Sequence, residues 1–67
     1  MIVRINGQDR DVPPQVVTVA DLLAHLGIDA PGHAVALNRK VVPRSAHAAT
    51  ALTEGARVEI LRAVGGG

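Results

Sequence analysis

The chain has 67 residues, 48 % of them hydrophobic, and a formal net charge of +1. It contains no cysteine, which excludes disulfides, thiolate metal sites and a cysteine nucleophile. It also contains no aromatic residue, so the usual stacking platform for single-stranded nucleic acid is absent. The nearly balanced charge predicts neither nucleic acid nor a membrane as a partner. One small aliphatic domain leaves little room for a deep pocket, which favours a carrier or binding module over an enzyme.

Residues 1–12 predict a β-hairpin. Met1, Val3 and Ile5 share one face of residues 1–6, the alternation of a strand with one buried side. Asn6-Gly7 follows, and this pair favours a type I′ turn because both of its positions require positive φ. Residues 8–12 would then return as a polar edge strand, which ends where two prolines cannot donate ladder hydrogen bonds.

Residues 19–26 predict an amphipathic helix, because apolar residues recur at the i, i+3, i+4, i+7 spacing. Thr18 is the expected N-cap, and Asp21 takes the acidic position of a capping box. Gly27 would end the helix in the left-handed conformation, with Ile28 folding back on Leu23 in a Schellman motif.

The second half of the chain predicts three more strands. Residues 34–38 alternate as a third strand, residues 39–40 resemble a turn, and residues 41–43 would form a short fourth strand at an edge. Residues 45–50 are compatible with a single helical turn starting at Ser45. Glu54-Gly55 is a further turn signal.

Residues 57–63 predict the last strand, with Val58 and Ile60 on its buried face. One helix can cover one face of the sheet, and a right-handed crossover places the first and last strands parallel in its middle. The sequence therefore predicts an α+β, β-grasp (ubiquitin-like) fold, with a mixed four- to five-stranded sheet and one main helix on one face. The predicted core consists of Val3, Ile5, Leu22, Leu23, Leu26, Val35, Leu37, Leu52, Val58 and Ile60.

Three glycines follow the last strand: Gly65, Gly66 and Gly67. We expect a domain over residues 1–64 and a flexible tail over residues 65–67, which could thread a channel too narrow for other residue types. The Gly67 carboxylate is a poor acyl donor until adenylation provides AMP as a leaving group. Attack by a sulfur nucleophile would then convert it to a thiocarboxylate. The alternative is a frayed end without function.

Several segments resemble the thiamine-biosynthesis sulfur carrier family, ThiS, along essentially the whole chain. The segment Val41-Val42-Pro43-Arg44-Ser45 is the most specific to this family, whereas a glycine end is shared by several ubiquitin-like families. The sequence departs from the family at His47, where a bulky aromatic is common, and at Ala56, where Asp is frequent. The other similar segments are Asn6-Gly7, residues 18–23, residues 35–38, Glu54-Gly55, residues 57–60 and residues 64–67.

This resemblance implies a carrier without catalytic residues of its own, modified at Gly67. It implies three partners: a ThiF-like adenylating enzyme that uses ATP and magnesium, a cysteine desulfurase as the sulfur source, and thiazole synthase as the acceptor. The chain itself would bind no cofactor and no metal. No signal peptide is evident and the apolar runs are short, so the expected location is cytoplasmic.

A partner surface is predicted on the sheet face away from the helix, where exposed apolar residues often mark a docking site. Arginines beside the tail could steer docking, although ordinary solubilising charges explain them equally well. The three histidines, His25, His33 and His47, are irregularly spaced and are expected to be exposed or half-buried rather than metal ligands. The candidate surface residues are Ile2, Arg4, Ala36, Leu61, Arg62 and Ala63.

Three other functions remain open from the sequence. A molybdopterin-synthase small subunit would use the same tail chemistry in a stable complex with a large subunit. A plain β-grasp interaction module would carry no covalent chemistry. Protein tagging through an isopeptide bond would produce conjugates of high mass.

Overall fold

In the computed structural model, which describes residues 1–62, the chain forms a five-stranded sheet with one α-helix. Residues 63–67, and with them the predicted boundary between domain and tail, lie outside the described residues. The strands are β1 (Ile2–Ile5), β2 (Gln8–Asp11), β3 (His33–Leu37), β4 (Lys40–Val42) and β5 (Arg57–Arg62). Helix α1 is Val19–Leu26, and two 3₁₀ helices span Ala30–Gly32 and Arg44–Ala49.

The sheet order is β2-β1-β5-β3-β4. Strands β1 and β5 pair in parallel, with Arg4 opposite Arg57 and Ile5 opposite Val58, and the other neighbouring pairs are antiparallel. The prediction is confirmed: the first and last strands lie side by side in the interior of the sheet, and β2 and β4 form its edges. This is the β-grasp arrangement.

The core lies between α1 and one face of the sheet. Leu26 and Leu37, predicted as core residues, are only partly buried at its margin. Val12 and Val16 are buried although the sequence placed them at the end of a strand and in a connector. Loops usually run over the surface. The connection between β2 and α1 instead packs against the sheet, and at its start the Val12 N–H donates to the Met1 carbonyl at 2.8 Å. The buried cluster is Val3, Ile5, Val12, Val16, Val19, Leu22, Leu23, Val35, Leu52, Ala56, Val58 and Ile60.

Helix α1 begins with the predicted capping box. The Asp21 N–H donates to Thr18 Oγ1 at 3.1 Å, and the Thr18 N–H donates to Asp21 Oδ2 at 3.0 Å. The Val17 N–H donates to the same carboxylate oxygen at 3.1 Å. The Val17 and Thr18 N–H groups and the Thr18 hydroxyl stabilise the ionised carboxylate and lower the pKa of Asp21 below 3.8.

Helix α1 ends with the predicted Schellman motif. Gly27 adopts the left-handed conformation at φ 71°, and its N–H donates to the Ala24 carbonyl at 3.2 Å. The Ile28 N–H donates to the Leu23 carbonyl at 2.9 Å. Because both ends are specified by local hydrogen bonds, the predicted bounds of the helix, residues 19–26, are confirmed.

The turn between β3 and β4 lies one residue earlier than the prediction of residues 39–40. It is formed by Asn38 and Arg39, both at positive φ (49° and 71°). Lys40 therefore opens β4 opposite Leu37, and β4 spans residues 40–42 instead of residues 41–43. The 3₁₀ helix Arg44–Ala49 also begins one residue before the single turn predicted from Ser45.

His47 is buried, with 5 % exposure, whereas the sequence predicted exposed or half-buried histidines. The second 3₁₀ helix brings the ring against Val42, whose carbonyl accepts from Nε2 at 3.1 Å. A carbonyl can only accept, so Nε2 carries the proton. Ala56 is also buried, so both departures from the family pattern are packing positions. His25 is exposed and His33 is half-buried, as predicted.

Candidate functional site

Strand β5 is the element that leads into the predicted site, because its last residue, Arg62, precedes residues 63–67 in the chain. Gly65, Gly66 and Gly67 lie outside the described residues, so the structure shows the strand that leads to them and not the segment itself. The geometry that bears on the site is therefore how firmly β5 is held and what surrounds its end.

The end of β5 is held by the side chain of Asn6. The Ile60 N–H donates to Asn6 Oδ1 at 2.8 Å, and Asn6 Nδ2 donates to the Ile60 carbonyl at 3.1 Å. Asn6 takes φ 49° as its backbone turns away from the sheet with Gly7. Its carboxamide thus replaces the next residue of β1 and extends the ladder beside β5. Sequence reasoning assigned Asn6 to the turn alone and missed this contact.

The opposite end of β5 is held in a related way by Asn38. Its backbone N–H donates to the Arg57 carbonyl at 2.8 Å, and its Oδ1 accepts from the Arg57 N–H at 3.0 Å. Strand β5 is thereby hydrogen-bonded to two asparagines from different hairpin turns, Asn38 near its start and Asn6 near its end. These contacts fix the backbone of β5 at Arg57 and at Ile60, two residues before the strand ends at Arg62.

Part of the predicted partner surface shares the sheet face away from α1, where Arg4 and Leu61 line one groove and Ile2 lies outside it. Ile2 is 46 % exposed and Leu61 is 65 % exposed, whereas Ala36 is half-buried. Arg4 lies on the same face, where Nε is 3.6 Å from Asp9 Oδ1 and 3.4 Å from the Gly7 carbonyl. Ala63, the remaining apolar candidate, lies outside the described residues.

Arg62 lies apart from the other candidates. Strand alternation places it on the same side as Ile60, and it borders a groove together with His33, Leu26 and Ile28 at the C-terminal end of α1. The candidate residues are therefore distributed over two sides of the sheet and do not form one continuous patch.

The titratable side chains of residues 1–62 form no metal-binding group, and the pKa shift resolved among them is that of Asp21. Within residues 1–62, no three His, Asp or Glu side chains are grouped so that they could hold a metal ion. Asp21, whose pKa is lowered, is a helix cap rather than a candidate acid or base. Across residues 1–62, no helix has the length and apolar character needed to span a membrane.

The order of the strands, the parallel central pair and the single covering helix define the class of this protein as a ubiquitin-like β-grasp domain. The model of the ThiS family matches residues 3–67. The chain belongs to the ThiS family.

Two solved structures support this assignment. A crystal structure of the thiamine biosynthesis protein (ThiS) from Geobacter metallireducens matches with a TM-score of 0.86 and 35 % identity, covering 100 % of both chains. A solution structure of a thiamine biosynthesis protein from the same organism matches with a TM-score of 0.79 and 33 % identity, covering 100 % of this chain and 88 % of the other.

A curated thiazole synthase of Paramagnetospirillum magneticum is also similar to this chain. The two are 40 % identical over 63 residues, which is 94 % of this chain but 19 % of the synthase. The chain thus spans about a fifth of the length of this relative.

Proposed function

We propose that this chain is a sulfur carrier of thiamine biosynthesis and that Gly67 is the residue that carries the sulfur. The observation that best supports the proposal is the end-to-end match, with a TM-score of 0.86, to a thiamine biosynthesis protein. In this chain the central strand of the matched fold precedes the sequence Gly65-Gly66-Gly67. The proposed role is that of a protein substrate and carrier rather than a catalyst.

The proposed chemistry begins with an adenylating enzyme of the ThiF type. A carboxylate oxygen of Gly67 attacks the α-phosphorus of ATP, with magnesium as the counterion, and pyrophosphate leaves. The terminal sulfur of a persulfide, supplied by a cysteine desulfurase, then attacks the acyl carbon, and AMP leaves. A thiol reduces the resulting acyl disulfide, which releases the thiocarboxylate and a disulfide between the thiol and the former persulfide cysteine.

The described residues would contribute to this chemistry by fixing the position of the strand that precedes the glycines. The Asn6 and Asn38 contacts hold β5 at Ile60 and Arg57. The segment after Arg62 would therefore start from a defined point on a rigid sheet. Such a start reduces the conformational freedom that is lost when an enzyme takes in the segment.

Thiazole synthase is the proposed acceptor of the sulfur. The similar protein from P. magneticum carries that name and contains a region that is 40 % identical to this chain. A carrier-like region within a thiazole synthase chain would keep donor and acceptor at a high effective concentration. We expect the separate carrier to achieve the same encounter by docking.

The test is the intact mass of a chain that ends at Gly67, measured after incubation with ATP, magnesium, the adenylating enzyme, the desulfurase and cysteine. We expect a gain equal to the exchange of one oxygen for one sulfur, and we expect thiazole synthase and its other substrates to reverse it. Two variants with an unaltered body, one lacking Gly67 and one with an alanine added after it, should show no gain. Arg44→Ala, on an exposed residue of the second 3₁₀ helix, should behave as the unaltered chain.

An unaltered chain that never gains sulfur would contradict the proposal and leave a non-covalent interaction module. Conjugates of high mass would indicate protein tagging instead. Sulfur that is gained but retained in the presence of thiazole synthase would contradict the proposed acceptor.

A further inference from the structure

A groove lies between the C-terminal end of α1 and the end of β5, on the side of the sheet that α1 covers. It has a volume of about 360 Å³. Its floor is apolar, with Leu26 and Ile28 half-buried and Ile60 buried beneath them. Its rim carries Arg10 from the edge strand β2 and Arg62 from the end of β5, both exposed.

The cations of this groove lack anionic partners within residues 1–62. The salt bridges found there join Arg4 to Asp9 and the N-terminal amine to Asp11, and neither includes Arg10 or Arg62. Other carboxylates are used elsewhere: Asp21 caps α1, and Glu54 accepts from the Ile2 N–H at 3.0 Å. Neither arginine of the rim therefore forms a salt bridge within residues 1–62, and the carboxylates of Asp29 and Glu59 form none there either.

His33 adds a third basic group at the groove. It lies directly opposite Arg62 in the antiparallel pair of β3 and β5. Its Nδ1 lies 2.9 Å from the Asp29 carbonyl oxygen, which can only accept, so Nδ1–H is the donor of this hydrogen bond.

The face away from α1 has a different charge pattern. The groove there, with a volume of about 490 Å³, is lined by Arg4 and Arg57 but also by Glu59. Arg4 in addition contacts Asp9. Positive and negative groups are thus mixed on that face, whereas Arg10, His33 and Arg62 are all basic. Charge complementarity favours an acidic partner at the groove beside α1.

The length of chain after Arg62 limits how far from the groove an enzyme that acts on Gly67 can lie. Five residues follow Arg62, the last of them Gly67, and five extended residues reach at most about 18 Å. An enzyme that acts on Gly67 must therefore place its active-site entrance within that distance of Arg62. The surface around the entrance would lie against this end of the domain.

We propose that the groove bordered by Arg10, His33 and Arg62 is a docking site for a segment of the adenylating enzyme that combines acidic side chains with an apolar side chain. The apolar side chain would cover Leu26 and Ile28, and the acidic groups would pair with the arginines. This inference rests on the proposed sulfur-carrier function.

The test is the dependence of the sulfur-transfer rate on carrier concentration for charge-reversal variants. We expect Arg10→Glu and Arg62→Glu each to raise the KM for the carrier by about tenfold or more, with kcat within about threefold of the unaltered value. The milder Arg10→Gln should raise KM by about threefold, because it removes attraction without adding repulsion. Arg57→Glu, on the opposite face, and Arg44→Glu, on the second 3₁₀ helix, are the matched controls and should leave KM within about twofold.

The outcomes are distinguishable. An unchanged KM in both groove variants, an equal rise in Arg57→Glu, or a fall in kcat at constant KM overturns the docking site while sulfur transfer itself stands. Absence of any mass gain in the unaltered chain overturns the proposed function and this site together. Urea midpoints equal to that of the unaltered chain would show that the variants fold. If a charge-reversal variant does not fold, the KM of Arg10→Gln decides between docking and no docking at the groove.

Discussion

The turn between β1 and β2 and the turn between β3 and β4 both place two consecutive residues at positive φ. Asn6 and Asn38 open these turns at the same φ, 49°, and both side chains hydrogen-bond to the backbone of β5. The second positions differ, with Gly7 at φ 85° and Arg39 at φ 71°. The comparison separates two roles within a turn. The asparagine forms hydrogen bonds to β5, and the residue after it determines the free-energy cost of placing the backbone at positive φ.

The largest expected effect is the loss of the Asn6 side chain. Asn6→Ala removes two side-chain hydrogen bonds to Ile60, whereas Asn38→Ala removes one to Arg57. Each bond contributes about 1 kcal/mol, and alanine at positive φ costs about 1–2 kcal/mol at either position. Urea unfolding should therefore show losses of about 3 kcal/mol for Asn6→Ala and about 2 kcal/mol for Asn38→Ala.

Aspartate provides the matched control, because it tolerates positive φ and keeps an acceptor oxygen but has no N–H donor. Asn6→Asp should still destabilise the domain by about 1 kcal/mol or more, since the Ile60 carbonyl loses its donor. Asn38→Asp should have almost no effect, because the side chain only accepts there. Equal losses in the two aspartate variants would contradict the different roles assigned to the asparagines.

The next effect concerns Gly7. Alanine at this position would meet no atom within 4 Å, so the expected cost is that of the left-handed backbone alone, about 1–2 kcal/mol. Gly32→Ala is the control, because its added Cβ also meets open space but its φ is not positive. It should be neutral or slightly stabilising. A Gly7→Ala variant as stable as Gly32→Ala, by urea midpoint, would show that the turn relaxes.

A smaller effect of opposite sign is expected at Arg39, which holds φ 71° without being glycine. Arg39→Gly relieves the strain of a Cβ in that region and loses chain entropy instead. We expect a net stabilisation of about 0.5 kcal/mol, measured as a higher urea midpoint. Lys40→Gly, one residue into β4, should instead be destabilising, because glycine weakens a strand. Destabilisation by Arg39→Gly would show that the arginine side chain contributes more than its backbone costs.

The smallest expected effect concerns Asp21, whose carboxylate accepts hydrogen bonds from the backbone at the start of α1. The N–H groups of Val17 and Thr18 and the Thr18 hydroxyl lower the pKa of Asp21 below 3.8, so the folded domain releases this proton more readily than the unfolded chain. Its contribution to stability is present above the unfolded pKa and is lost as the pH falls through the lower folded value. The free energy of unfolding, measured from about pH 6 to about pH 2, should therefore fall less steeply with decreasing pH for Asp21→Asn than for the unaltered chain. The same pH dependence in both proteins would contradict the stabilising role assigned to the Asp21 carboxylate.

Local signals in the sequence predicted much of this fold. The bounds of α1 followed from Thr18, Asp21 and Gly27, because each specifies the backbone near itself. Asn6-Gly7 predicted the first hairpin for the same reason. The second hairpin was displaced by one residue, because Asn38 continued the alternation of the third strand and was assigned to it, whereas its φ is positive and it opens the turn before Arg39.

Features that depend on tertiary contacts were not predictable in this way. The burial of His47 depends on how the second 3₁₀ helix packs against Val42. The link from Asn6 to Ile60 spans 54 positions, and no pattern within a short window indicates it. The division of Leu61 and Arg62 between two sides of the sheet followed from alternation, but the groove beside Arg62 required the position of α1 as well.

The parallel pairing of β1 with β5 has a consequence for synthesis of the protein. Arg4 meets Arg57 in the interior of the sheet, so the sheet cannot close until the ribosome has released nearly the whole described chain. A nascent chain interrupted before residue 57 would leave β1 and β3 without their shared neighbour and expose apolar residues to proteases. Completion of the last strand thus also acts as quality control, because a chain without it has neither a stable body nor the glycines that follow.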